Sequence, residues 1–172
     1  MKFQLSAIGF VLAALSVLAA PLANAQRPQS LGAYTDWQAF QAVEPNGQLV
    51  CFMASQPKNS EGNYTQRGSI WLLVSHRPGI ETNVVSMEAG FTYKAGVNHL
   101  ITIGNSRYGL FPQGETAWSF PEDDNKLIGD MKAGRNLVVD SESTRGTKIR
   151  DTFSLLGFTA AYNKISEACQ VS

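Results

Sequence analysis

Short runs of alternating hydrophobic and polar residues fill most of this chain, and Gly, Pro and Asn break them every few residues. "YTDWQAFQAV" (34–43) reads as a strand, and Pro45-Asn46-Gly47 as the turn that ends it. "QLVCFMAS" (48–55) is apolar in both phases, with Leu49, Cys51 and Met53 on one face and Val50, Phe52 and Ala54 on the other. Such a run predicts a strand covered on both sides. "SIWLLVSH" (69–76) has the same character, and a polar stretch, "QPKNSEGNYTQRG", separates the two. Beyond Pro78-Gly79 the runs continue as "TNVVSMEAGFTY", "HLITIG", "SRYGLFP" and "TAWSF". The last two, "NLVVDSES" and "TKIRDTFSL", predict a closing hairpin. Strands this short and this regularly punctuated predict an antiparallel sandwich or barrel.

Two segments carry a different period. In "PEDDNKLIGDMKAGR" (121–135) acids gather at the start, Lys132 lies near the end and Gly134 offers a stop, which predicts one short internal helix. The final segment places Phe158, Ala161, Tyr162, Ile165, Ala168 and Cys169 on one helical stripe. It predicts an amphipathic C-terminal helix with Ser154 as its cap.

The N-terminus adds a compartment. "MKFQLSAIGFVLAALSVLAAPLANAQ" has one positive charge at Lys2, an apolar run, Pro21, and the small-residue site Ala23-Asn24-Ala25. This predicts a Sec-type signal peptide over residues 1–25, cleaved between Ala25 and Gln26, and one domain over 26–172. The apolar run is shorter than a membrane-spanning helix. Export then gives Cys51 and Cys169 an oxidising setting, and an even count with no CxxC spacing predicts one disulfide between them. Cys169 sits on the stripe that must be buried and Cys51 in a doubly covered strand, so the bond would pin the tail helix to the sheet. Without Lys2 the chain carries 13 basic and 14 acidic residues. That balance argues against nucleic acid as a partner, which requires a concentrated basic surface.

Candidate chemistry is sparse. His76 and His99 are the only histidines, and Ser75 and His76, adjacent in a strand, point to opposite faces. No nucleophile–base pair or metal set follows, and no cofactor is expected. Glu122-Asp123-Asp124 suits a helix start better than a calcium loop, whose ligands alternate. Asp151 is in phase with Ile149, Phe153 and Leu155, on the predicted core face. A bare carboxylate there would be costly. Either a bulge shifts the phase, or Asp151 pairs with an arginine or with backbone donors; Arg145 and Arg135 are the candidate arginines. Trp37 and Trp118 are either surface contacts for a carbohydrate or peptide or core filler, whereas Trp71 reads as core.

With these elements in place, "LGAYTDWQA", Cys51, "SHRPG", "DMKAGRNLVV", "STRGTKIRDTFSLLGF" and Cys169 together resemble the invasion-associated locus B family of Gram-negative bacteria. The run Arg145-Gly146-Thr147, then Asp151 to Leu155 and Gly157, is the most specific part. The resemblance implies an immunoglobulin-like β-sandwich with a C-terminal helix, exported to the periplasm or outer envelope, with no catalytic residues to carry over. The expected role is non-enzymatic surface recognition of a host component or a bacterial protein or envelope partner, with the polar loop from Pro57 to Gln66 as a contact region. The alternatives are a periplasmic envelope-maintenance or stress factor, and a carbohydrate-binding domain or hydrolase.

Overall fold

In the computed structural model, which describes residues 27–171, the alternating runs become eleven strands and two helices. The expected leader and its cleavage point lie outside the described residues. The strands are β1 (Gln29–Tyr34), β2 (Trp37–Val43), β3 (Leu49–Ser55), β4 (Asn59–Gly62), β5 (Trp71–Arg77), β6 (Glu81–Glu88), β7 (His99–Ile103), β8 (Ser106–Gln113), β9 (Thr116–Ser119), β10 (Asn136–Glu142) and β11 (Lys148–Ser154). Helix α1 (Asp124–Ala133) joins β9 to β10, and α2 (Phe158–Cys169) follows β11.

Every pairing is antiparallel, and one ladder runs β1-β2-β3-β5-β6-β9-β8-β7-β10-β11-β4. The ladder cannot be flat. Only residues 56–58 separate β3 from β4, yet the two stand third and last in the order. At about 4.8 Å per strand a flat sheet would part them by about 38 Å. Three linking residues reach no more than about 14 Å. The sheet therefore folds over on itself as an antiparallel β-sandwich with one internal and one C-terminal helix. Alternate residues from both halves meet in a single core, among them Ala39, Met53, Leu72, Val85, Ile101, Val139 and Phe153, all fully buried.

Helix α2 lies across β1, β2, β3 and β5, burying Phe158, Ala161, Tyr162, Ile165 and Cys169 as its periodicity predicts. Cys51 and Cys169 are bonded, with Cα atoms 5.9 Å apart. The helix start differs from expectation. Gly157, not Ser154, occupies the N-cap, and no side chain caps the helix. The Ser154 hydroxyl instead accepts the Leu156 N–H at 3.2 Å, tightening the turn before the helix. Gly157 has φ +88°, and a Cβ there would fall 1.9 Å from the Tyr34 carbonyl oxygen. Only glycine lets β1 and the start of α2 approach so closely.

Three other departures have local causes. "YTDWQAFQAV" is not one strand; β1 and β2 form a hairpin that turns at Thr35 (φ +55°) and Asp36. The polar stretch after β3 contains β4, an edge strand that pairs with β11. The acids before α1 do not cap it through a side chain at Asp123; Asp124 turns inward to the Ser119 hydroxyl instead.

Candidate functional site

Four loops meet at one end of the folded sheet, and their backbones are bonded to one another. Gly68 N–H donates to the Gly90 carbonyl at 3.0 Å, tying the β4–β5 segment to the β6–β7 loop. Ala89 N–H reaches the Glu115 carbonyl at 3.0 Å and Tyr93 N–H the Gly114 carbonyl at 2.9 Å, which adds the β8–β9 turn. Thr144 N–H reaches the Thr92 carbonyl at 3.0 Å, which adds the β10–β11 turn. Gly90 has φ +70°, and a Cβ on it would lie 2.5 Å from the Gly68 oxygen, so this junction tolerates no side chain.

The loops enclose a cleft of about 540 Å³, within the size range of small-ligand sites. Arg67 stands at its base. Its side chain is 4% exposed, and Nη1 and Nη2 donate to Asp151 Oδ1 and Oδ2, both at 2.7 Å. Nε donates to the Ala89 carbonyl at 2.6 Å, and the Ser60 hydroxyl donates to Asp151 Oδ1 at 2.6 Å. The Phe91 and Tyr64 rings lie 4.9 and 5.7 Å from the guanidinium carbon. A bidentate, further hydrogen-bonded pair is the arrangement that makes a buried charge tolerable. Nearby, burial and then the Asp151 charge push the Tyr93 phenol above its ordinary value.

Asp151 thus faces the core in phase with its strand, and its partner corrects the expected pairing. Arg145 and Arg135 are the expected partners, but Arg67 makes the bond across 84 residues. Arg145 is exposed on the β10–β11 turn and lines the cleft. Arg135 contributes its backbone carbonyl, which accepts the Leu155 N–H at 2.9 Å. Arg67 carried no signal in the sequence beyond the need of Asp151 for a cation.

Trp37 is also corrected. It is fully buried, its Nε1 donates to the Ser154 carbonyl at 3.0 Å, and its ring meets Phe158 edge-on at 5.1 Å. It is a core residue with no surface to offer. Trp118 is half-buried on the outer face of β9, stacked on Phe111 at 5.9 Å, with Phe111 and Phe120 exposed beside it. Trp71, expected in the core, is half-buried at the start of β5. The polar stretch from Pro57 to Gln66 divides between edge strand β4 and the cleft wall at Asn63–Gln66.

Both imidazoles are buried with each ring nitrogen engaged. His76 Nδ1 accepts the Asn83 N–H at 3.1 Å, and Nε2 lies 3.2 Å from the Ser166 hydroxyl. Burial, then the Lys132 charge, lowers the His76 pKa to about 4. His99 Nδ1 accepts the Glu142 N–H at 3.3 Å, and Nε2 lies 2.9 Å from the Lys94 carbonyl. Burial raises the Asp124 carboxyl to about 6. Among the described residues no three His, Cys, Asp or Glu side chains converge as a metal ligand set. No helix among them is long and apolar enough to cross a membrane.

The "STRGTKIRDTFSLLGF" segment can now be read residue by residue. Asp151 holds Arg67, Phe153 fills the core, the Ser154 carbonyl holds Trp37, and Gly157 admits Tyr34. Its turn, Ser143–Thr147, forms one wall of the cleft. A family model described as "Invasion associated locus B (IalB) protein" matches residues 37–166, from the start of β2 into α2. The chain belongs to the invasion-associated locus B family. The match spans all four loops of the cleft and stops short of Cys169. The IalB family is not a known enzyme family. No curated protein and no solved structure matches the chain significantly.

Proposed function

We propose that this IalB-family protein is an exported envelope protein that acts by recognition, without catalysis, through the four-loop cleft. The observation that carries this reading is the cross-bonding of the loops. A cleft whose walls are tied to one another by backbone hydrogen bonds is preorganised, so a ligand need not pay to order it. The lining is chemically suited to holding rather than reacting. It contains hydroxyls, amides and two aromatic rings, and both histidines lie elsewhere with their nitrogens occupied. The partner is a host component or a bacterial envelope component.

Affinity capture from envelope and host-cell extracts tests this, using the oxidised protein beside the Arg145→Ala variant. The expected result is a retained component that the variant releases. Equal retention by both proteins overturns the assignment of the cleft. A deletion strain then separates the two sources of partner. A defect only in the presence of host cells points to a host component, and envelope stress in pure culture points to a maintenance role.

A further inference from the structure

The geometry points to a short saccharide as the ligand of this cleft, an assignment that rests on reading the cleft as a recognition site. Three lines lead there. The first is charge. Of the ionised groups lining the cleft, Arg67 is neutralised by Asp151, which leaves Glu115 and Arg145, one of each sign. That balance does not suit a polyanion, whose binding scales with the number of cations it meets. The ligand is neutral or carries a single acid that Arg145 can take.

The second line is the backbone. An extended peptide is commonly bound by adding a strand to an open edge, with main-chain hydrogen bonds supplying affinity. Here four backbone N–H groups at the rim are taken up within its own loops. Gly68 bonds Gly90, Tyr93 bonds Gly114, Thr144 bonds Thr92, and Ser143 bonds Thr147 at 3.0 Å. The side chains remain as the means of recognition.

The third line is what those side chains are. Thr65, Thr92, Thr144 and Thr147 present hydroxyls, each able to donate and accept, and Asn63 and Gln66 present amides that do both at once. A sugar ring offers matching hydroxyls at fixed spacing around its edge and an apolar face between them. The Tyr64 and Phe91 rings, held against Arg67, line the same cleft and supply apolar surface for that face. Hydroxyls, amides and aromatic rings around a preformed cleft make a saccharide site.

The test probes an array of immobilised neutral, amino-sugar and uronic-acid oligosaccharides with the oxidised protein. Beside it runs a Gln66→Ala, Thr144→Ala variant; both side chains are exposed, so the fold should persist. Near-ultraviolet circular dichroism checks that it does, and Asn63→Ala provides a second, independent variant. The expected result is binding to one class of saccharide, weakened at least tenfold in the variants with an unchanged melting temperature. Binding to no saccharide, or binding that the variants leave intact, overturns the assignment. If extracts still yield a component released by Arg145→Ala while no saccharide binds, only the saccharide falls and the reading of the cleft as a recognition site stands.

Discussion

Arg67 and Asp151 meet through two parallel hydrogen bonds of 2.7 Å, almost wholly removed from water, and join the base of the cleft to the middle of β11. Removing one partner strands the other charge in the interior. Asp151→Asn and Arg67→Met are each expected to cost about 3–5 kcal/mol in urea unfolding. The double variant Arg67→Met with Asp151→Leu is expected to lose less than the sum of the two. An unchanged melting temperature for Asp151→Asn would remove the pair from any structural role.

His76 and Asp124, both buried, predict opposed effects of pH. His76 is held at about 4 against an ordinary 6.5, so the unfolded chain takes up the proton first. Stability then falls as pH drops below 6.5, by about 3 kcal/mol once pH 4 is passed. Asp124 is held at about 6 against 3.8. Its stabilising contribution is complete below pH 3.8 and is lost as pH rises through 6. Between these limits the two slopes have opposite sign, so the intact protein should show a shallow profile. Asp124→Asn is expected to expose the downward slope toward acid, and His76→Gln the reverse, in unfolding curves collected from pH 7 to pH 4.

The disulfide closes a sequence separation of 118 residues. On the chain-entropy account, opening it costs about 5 kcal/mol. Paired Cys51→Ala, Cys169→Ala substitution should lower the urea midpoint accordingly. Limited proteolysis should then cut first within α2, a short helix that is marginal without its anchor.

Gly157→Ala adds a methyl group where the Tyr34 carbonyl already stands, at a backbone angle that L residues avoid. Strain and overpacking together predict a loss of about 3 kcal/mol or more. A melting temperature within a degree of the parent would contradict the packing of β1 against α2.

The tryptophans should separate cleanly. Trp37→Phe leaves the buried Ser154 carbonyl without its donor and opens space in the core. It is expected to cost about 2–4 kcal/mol. Trp118→Phe, on the outer face, is expected to change stability by less than about 1 kcal/mol. Thermal unfolding of both variants checks the contrast.

Elements with strong periodicity were legible in the sequence, because burial on one face imposes period two on strands and a stripe on α2. The disulfide was legible from the cysteine count, since an exported chain with two cysteines and no CxxC spacing pairs them, and the buried positions of both agree with it. The β1–β2 turn was not. It contains no glycine, yet Thr35 adopts a positive φ, and the next residue, Asp36, donates its N–H to the Leu156 carbonyl at 3.2 Å, a contact far away in sequence. Strand β4, "NSEG", has no intrinsic strand pattern and forms because β11 offers it an edge. Asp151 announced the need for a cation by its phase, but loop geometry chose Arg67. The cleft was the least visible feature. It is assembled from four polar segments far apart in the chain, and polar loops carry no period.

The position of β4 has a consequence for how the protein comes into being. Residues 59–62 pair only with β11, and Cys51 waits for Cys169. A chain emerging from its N-terminus therefore cannot complete its ladder until residues 148–169 have arrived. Such long-range dependence makes for late, slow folding.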